Sequence, residues 1–288
     1  MFKLKLSSIS LILFVSLFIT VIDNQVFFSK ISEHLNIFTL QGGGYVFTVY
    51  AIIFSILVFI HLIIGQKYFL KVLMSLLLIV SAILAYFGQE LGVIFDVDMM
   101  RNIVDTVKDN NQHEALELLS LPLIKHVLLY GVLPAAFVLI VNISYKSFAK
   151  ETLWRVFTAI GLVVFISALL LLNFKSATYF SRENHDLRVY TTPLYAINSV
   201  VGFVRLELKK NKTPLKTIGK DAIQQKQGIN RRIGIMVVGE AARWDHFSLN
   251  GYFRDTNPKL QYIDIINYKK ASACGTSTAY SVPCMFSF

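Results

Sequence analysis

Two short stretches near the carboxyl end hold the side chains best suited to chemistry. In the first, Ile233-Gly234-Ile235-Met236-Val237-Val238 is an unbroken apolar run that closes on Gly239-Glu240. Such a run reads as a fully buried parallel strand, and open α/β sheets bind ligands at the carboxyl ends of their strands, where Glu240 falls. In the second, Cys274-Gly275-Thr276-Ser277-Thr278 leads through Ala279-Tyr280-Ser281-Val282-Pro283 to Cys284. A threonine hydroxyl is a weak nucleophile at its own pKa and needs a base or a metal ion to activate it. Gly275 breaks the chain, Thr276 or Ser277 can cap a short helix beyond it, and the first turn of that helix would direct N–H groups at a phosphate. Taken alone, Thr276, Ser277 and Thr278 read first as a polar loop with a helix cap, and Glu240 is as readily a solvated carboxylate. His246 follows Asp245, but a lone histidine early in a helix is more often structural than a ligand.

The elements that must hold these residues are those of an opening α/β unit. After Glu240, Ala241 to Phe247 can begin a helix, Asn250-Gly251 signals a turn, and Ile263-Asp264-Ile265-Ile266-Asn267-Tyr268 reads as a further strand. Upstream, Asn211 to Gly228 is polar, basic and weakly periodic, which is the composition of a linker with room for a short helix at Asp221 to Lys226. Leu194 to Val204 has the apolar content of a short helix flanked by Arg188, Arg205, Lys209 and Lys210, which suits a bilayer interface.

Everything before that is membrane-like. The chain is 55% hydrophobic, with 23 Phe and only 6 Pro. Five apolar stretches reach the ~20 residues of a bilayer span: Ile9 to Phe28, Tyr45 to Ile64, Phe69 to Phe87, Ile124 to Tyr145 and Trp154 to Phe174. The first, preceded by Lys3 and Lys5, also has features of a signal peptide, but no small-residue cleavage site follows it. Lys3, Lys5, Lys67, Lys71, Lys146, Lys150 and Arg155 fall in segments that share one side, against the single acid Glu151. The loop after the third span is rich in acids from Glu90 to Glu117. Positive charge marks the inner side, so the amino terminus is expected inside and everything after Phe174 outside. His61, Lys125 and His126 are candidates for intramembrane proton or substrate groups, but each lies near a span end, from which long or polar side chains reach back to the interface, and that reading is favoured. Aromatic residues near span ends are read as interfacial anchors.

The net charge of +10 is concentrated late: residues 1–174 carry +1 and residues 175–288 carry +9. Most of the excess lies between Arg205 and Arg232, where a basic segment beside a membrane is drawn to anionic head groups. Nucleic acid is a poor partner for a segment facing away from the cytoplasm. The chain has 2 cysteines, both in the outer part. A pair in an oxidising compartment is expected to be bridged, while a zinc site would need further Cys or His ligands nearby.

The segments Val237 to Arg243, Asp245 to Tyr252 and Cys274 to Ser287 resemble the start of the catalytic domain of bacterial lipid A phosphoethanolamine transferases of the colistin-resistance type, and the resemblance extends over the amino-terminal membrane domain. It implies an α-helical membrane domain of five transmembrane helices followed by the beginning of an α/β, sulfatase- or alkaline-phosphatase-like catalytic domain. The divisions are 1–174 (membrane), 175–230 (amphipathic helix and basic linker) and 231–288 (catalytic opening). By the same resemblance Thr278 is the catalytic nucleophile that takes the phosphoethanolamine group, Glu240 and Thr278 contact zinc, and Cys274 pairs with Cys284. In the outer loop, Phe95 to Thr106 and then Glu114 resemble the family's periplasmic loop, in which Asn102, Thr106 and Glu114 would line the donor pocket. A few extra residues at Val107 to Gln112 shift the spacing to Glu114. Arg243 and Asp245 match the family pattern with a packing or hydrogen-bonding role, and the family's Asp-His zinc pair lies downstream.

The resemblance therefore implies an inner-membrane, multi-pass enzyme. It would move phosphoethanolamine from phosphatidylethanolamine to a lipid A phosphate or a related lipopolysaccharide acceptor, with zinc as cofactor and polymyxin resistance as the outcome. Since the family's chains continue past the residue matching Phe288, a carboxy-terminally truncated chain is expected. A second reading is then an inactive fragment whose membrane domain folds while its α/β unit does not. A small transporter is disfavoured, because the spans hold few interior charges and the motifs lie outside them.

Overall fold

The computed structural model describes residues 5–65, 67–108, 118–209, 219, 221, 223, 233–239, 242–269, 271–275 and 278–286. The chain divides into two compact units, residues 1–211 and 212–288.

In the first unit, apolar content and capping set the helices. The side chain of Ser7 accepts from Ser10 N at the start of α1 (Ser8–Ile22), and that of Thr39 from Gly42 N at the start of α3 (Leu40–Ile64); each satisfies a donor that the first turn leaves open. Between them lies α2 (Gln25–His34), and after them come α4 (Leu70–Glu90), α5 (Val97–Lys108) and α6 (Leu121–Ile140). The remaining helices are α7 (Phe148–Leu172), α8 (Phe174–Glu183) and α9 (Leu194–Lys209). Among the described residues four helices, α3, α4, α6 and α7, are long and apolar enough to cross a membrane, and the bent pair α1–α2 makes a fifth. The core lies where Leu11, Ile12, Val15 and Ile19 of α1 meet Leu57 and Val58 of α3 and Met74 and Leu78 of α4.

The first span departs from its sequence reading. Instead of one helix from Ile9 to Phe28, the chain bends by 52° between Ile22 and Gln25. Asn24 causes this by taking over backbone bonding. Its Nδ2 donates to Ile19 O at 3.0 Å and to Thr192 O at 2.7 Å, and its Oδ1 accepts from Thr192 N at 2.8 Å. Distant backbone thus supplies what helix continuation would have. The neighbouring Asp23 is 2% exposed, and neither carboxylate oxygen has a hydrogen-bond partner among the described residues.

Within α6, residues Val127–Val132 are π-helical. Pro134 follows and has no N–H to give to the preceding turn, a known source of such local widening. Gly131 sits against α4, so close that a Cβ there would lie 3.2 Å from both Ala82 Cβ and Ile79 Cα. The helix stops at Ile140, short of the predicted Tyr145, because Asn142–Ser144 (β2) pairs in parallel with Lys5–Ser7 (β1), Leu6 opposite Ile143. Tyr145 Oη also donates to Lys67 O at 3.0 Å. The amino-terminal strand, the α3–α4 turn and the α6–α7 turn therefore meet at one end of the bundle, as their shared lysine content predicts.

His61 corrects a second reading. Rather than reaching an interface it is 0% exposed, with Nδ1 2.8 Å from Leu57 O and 3.1 Å from Ser16 Oγ. Helix α1 covers the face of α3 that carries it. His126 packs its ring against Tyr86 and Tyr130 at 5.5 and 4.8 Å, whereas Lys125 is exposed.

In the second unit the two predicted strands are not formed. Ile233 is 88% and Val237 85% exposed, and no strand pairs with residues 233–239 or 263–268 among the described residues. A strand exists only through its ladder, so an apolar run without neighbours stays bare. The expected helix after Ala241 is replaced by two short 3₁₀ turns, Trp244–His246 and Ser248–Asn250. The turn at Gly251 is as predicted, with φ +102°, a conformation that suits glycine. The segment Asp221 to Lys226 lies largely outside the described residues.

Candidate active site

Thr278 is the first residue of α10 (Thr278–Met285), a helix enclosed by the Cys274–Cys284 disulfide, whose Cα atoms are 6.4 Å apart. The bridge holds the helix against the chain that enters it, so the loop geometry is fixed at both ends. Thr278 is exposed. The dipole of α10 has its positive end at Thr278, so that end favours negative charge. A hydroxyl at a positive helix end, on a loop tied by a covalent bridge, is an arrangement able to receive a phosphoryl group. Glu240, Thr276 and Ser277 lie outside the described residues.

Between the apolar run and this loop, side chains rather than strands organise residues 242–269. Arg243 binds Asp245 through two nitrogens, at 3.0 and 2.6 Å, and His246 Nδ1 lies 3.0 Å from the same carboxylate. The Arg243 guanidinium, and after it the His246 ring, hold the Asp245 carboxyl well below the usual carboxylate range. Thr256 Oγ1 donates to His246 O at 2.6 Å and accepts from Ser248 N at 3.0 Å, while Asn250 Nδ2 donates to Trp244 O at 2.8 Å. The His246 ring also stacks on Tyr252 at 4.6 Å. Hydrogen bonding of the kind expected for Arg243 and Asp245 is thus present, and it takes in His246.

Of the predicted donor-binding residues, Asn102 and Thr106 are described, both in the first unit. Helix α5 begins where Asp96 Oδ1 accepts from Met99 N at 2.8 Å. Asn102 and Thr106 are four residues apart and so share one face of α5. Asn102 is exposed and Thr106 half-buried. Helix α5 packs on α9, where a Cβ on Gly202 would lie 3.1 Å from Val97 Cγ2. Glu114 lies outside the described residues. Sequence reasoning missed Asp23 as a buried carboxyl; the signal was its presence inside an otherwise apolar stretch.

Zinc fits these residues only in part. Among the described residues no three His, Cys, Asp or Glu side chains converge. Glu240 and Thr278 would give two donors where zinc ordinarily takes four.

Comparison with known proteins follows the same division. Residues 53–208, more than half of the chain, match the family described as phosphoethanolamine transferase EptA/EptB, and residues 232–288 match the sulfatase family. The chain is 37% identical to phosphatidylethanolamine transferase Mcr-1 of Escherichia coli over 100% of its own length and 53% of that protein's. It is 33% identical to Mcr-2 of Escherichia coli over 95% of its length and 51% of that protein's. An integral membrane lipooligosaccharide phosphoethanolamine transferase A from Neisseria meningitidis superposes with a TM-score of 0.86 at 29% identity, covering 99% of this chain and 52% of that one. The chain thus spans about half the length of the relatives it matches.

Proposed function

The chain belongs to the phosphoethanolamine transferase EptA/EptB family, and from that premise we propose that it serves the transfer of phosphoethanolamine from phosphatidylethanolamine to a lipid A phosphate or related lipopolysaccharide acceptor. Thr278 is the residue that holds the group in transit. What carries this reading is its place as the first residue of a helix inside a disulfide-closed loop, within the sulfatase-like segment.

The chemistry is two displacements at one phosphorus. Thr278 Oγ1 attacks the donor phosphorus, its proton passes to a base, and the bond to the diacylglycerol oxygen breaks, that oxygen leaving with a proton. A lipid A phosphate oxygen then attacks the same phosphorus, and Thr278 Oγ1 departs and regains its proton. The positive end of the α10 dipole favours negative charge on the phosphoryl oxygens in both steps. Glu240 and Thr278 are the residues of this chain that would contact zinc, which when bound supplies a lowered hydroxyl pKa. Asn102, Thr106 and Glu114 would orient the donor head group.

Residues 1–174 form the membrane domain in this reading, 175–230 the bridge and 231–288 the opening of the catalytic domain. In this reading, which the loop charges support, the amino terminus is in the cytoplasm and the catalytic residues are in the periplasm of an inner-membrane protein. Adding an ethanolamine cation to a surface phosphate lowers the negative charge that attracts polycationic peptides such as polymyxins.

The test joins residues 1–288 to the remaining part of the Mcr-1 catalytic domain and expresses the chimera in Escherichia coli. Mass spectrometry of lipid A should show phosphoethanolamine addition, and the intact protein a phosphoethanolamine adduct on Thr278. Thr278→Ala should abolish both while leaving membrane insertion and the disulfide intact. Thr276→Ala and Ser277→Ala remove at most a cap or hydrogen bond of ~1 kcal/mol and should be mild. Near-normal turnover in Thr278→Ala, or an adduct on Thr276 or Ser277, would refute the assignment.

A further inference from the structure

A groove of about 500 Å³ opens at the end of the bundle where the lysine-bearing turns meet, between the end of α3 and the start of α7. Its long wall is apolar, formed by side chains such as Phe59, Leu62, Ile63 and Val156, and Lys67, Lys146 and Arg155 complete the lining with positive charge. Among the described residues the only acid in the lining, Glu151, is already engaged. It accepts from Ser8 Oγ and from Lys146 N at 3.2 Å, and lies 3.6 Å from Arg155 Nε.

The two lysines are held by aromatic rings rather than carboxylates. Lys146 Nζ lies 4.1 Å from the centre of the Trp154 ring, and Lys67 Nζ 5.8 Å from those of Tyr68 and Tyr145. A ring positions an ammonium without neutralising it, so the charge remains available. Arg155 is fixed by donating to Leu62 O and Gly65 O at 3.1 and 3.0 Å, the carbonyls that end α3.

We infer that this groove binds an anionic phospholipid of the cytoplasmic leaflet, its phosphate at Lys67, Lys146 and Arg155 and an acyl chain along the apolar wall. The excess of three cations over one acid selects negative charge. The wall runs into exposed span residues, Ile63 at 71% and Val156 at 48%, which face lipid in a membrane. A soluble anion would leave that wall bare, so the occupant must be amphipathic. The site is independent of the transferase reading, since it needs only the membrane unit.

Trp154 is a built-in reporter, and Trp244 is the only other tryptophan. In the 288-residue chain with Trp244→Phe, reconstituted in phosphatidylcholine vesicles, brominated phosphatidylglycerol should quench Trp154 at a lower mole fraction than brominated phosphatidylcholine does. Lys67→Gln and Lys146→Gln should each reduce that preference by roughly fivefold, the worth of one charge near a membrane surface. Lys150→Gln, at the same end of the bundle but outside the groove, should leave it unchanged. Equal quenching by the two lipids would overturn the site. So would an equal loss in Lys150→Gln, which would mean general surface attraction, or displacement by millimolar glycerol phosphate, which would mean a soluble anion site.

Discussion

Thr278 and Asp23 show how differently a polar side chain behaves at an open helix end and in a packed bundle. Thr278 is exposed at the first turn of α10, where the local field favours an anion. Asp23 is buried with both oxygens unpartnered among the described residues. Leaving a buried polar group unsatisfied costs about 1–3 kcal/mol, so Asp23→Ala should raise the thermal midpoint in detergent by a corresponding amount. A fall of similar size would mean that the carboxylate does have a partner. Asp245 is the opposite case, an exposed carboxylate held ionised by Arg243 and His246. Because its folded pKa is depressed, whatever the clasp contributes is present above the ordinary carboxylate range and lost as pH falls through the lowered value. Arg243→Ala should move the Asp245 titration up toward ~3.9, readable from its carboxyl carbon by NMR.

Two elements are shaped by contacts their own sequence does not display. The α1–α2 bend depends on Asn24 bonding to Thr192 in both directions. Asn24→Ala would strand buried backbone groups and should cost about 2 kcal/mol in unfolding free energy, while Asn24→Asp, which sets a carboxylate oxygen against the carbonyls of Ile19 and Thr192 beside the buried Asp23, should cost more. The α4–α6 contact depends on Gly131. Adding a methyl there meets backbone at Ile79, which cannot rotate aside, so Gly131→Ala should destabilise the bundle by about 1–3 kcal/mol despite the higher helix propensity of alanine. A neutral or stabilising outcome in thermal unfolding would show that α6 can shift outward. Small residues at such crossings let helix backbones approach where no hydrophobic force drives them together.

For the whole molecule, the meeting of β1 with β2 and of Tyr145 with Lys67 puts three predicted inner segments at one end of the bundle. Reporter fusions after Lys67 and Lys150 should therefore read cytoplasm, and those after Gln112 and Lys212 periplasm; reversal at two sites would sink the topology.

What the sequence determined is what depends on local composition. The apolar stretches, the helix from Leu194 and the turn at Gly251 each follow from a few adjacent residues, and the structure has them, as it has the Cys274–Cys284 bridge expected from the compartment and the family resemblance. The long family motifs around Glu240 and Thr278 carried the functional reading, because a Thr-Ser-Thr loop alone is indistinguishable from a cap. Only the tertiary structure decided where polar groups inside the membrane unit go. His61 is enclosed because α1 lies over α3, Asp23 because a bend turns it inward, and Arg155 is fixed because α3 ends beside it. Each is the meeting of chain segments far apart in sequence. The strand at Ile233 makes the same point from the other side, since its apolar pattern is legible in six letters but a ladder needs a neighbour.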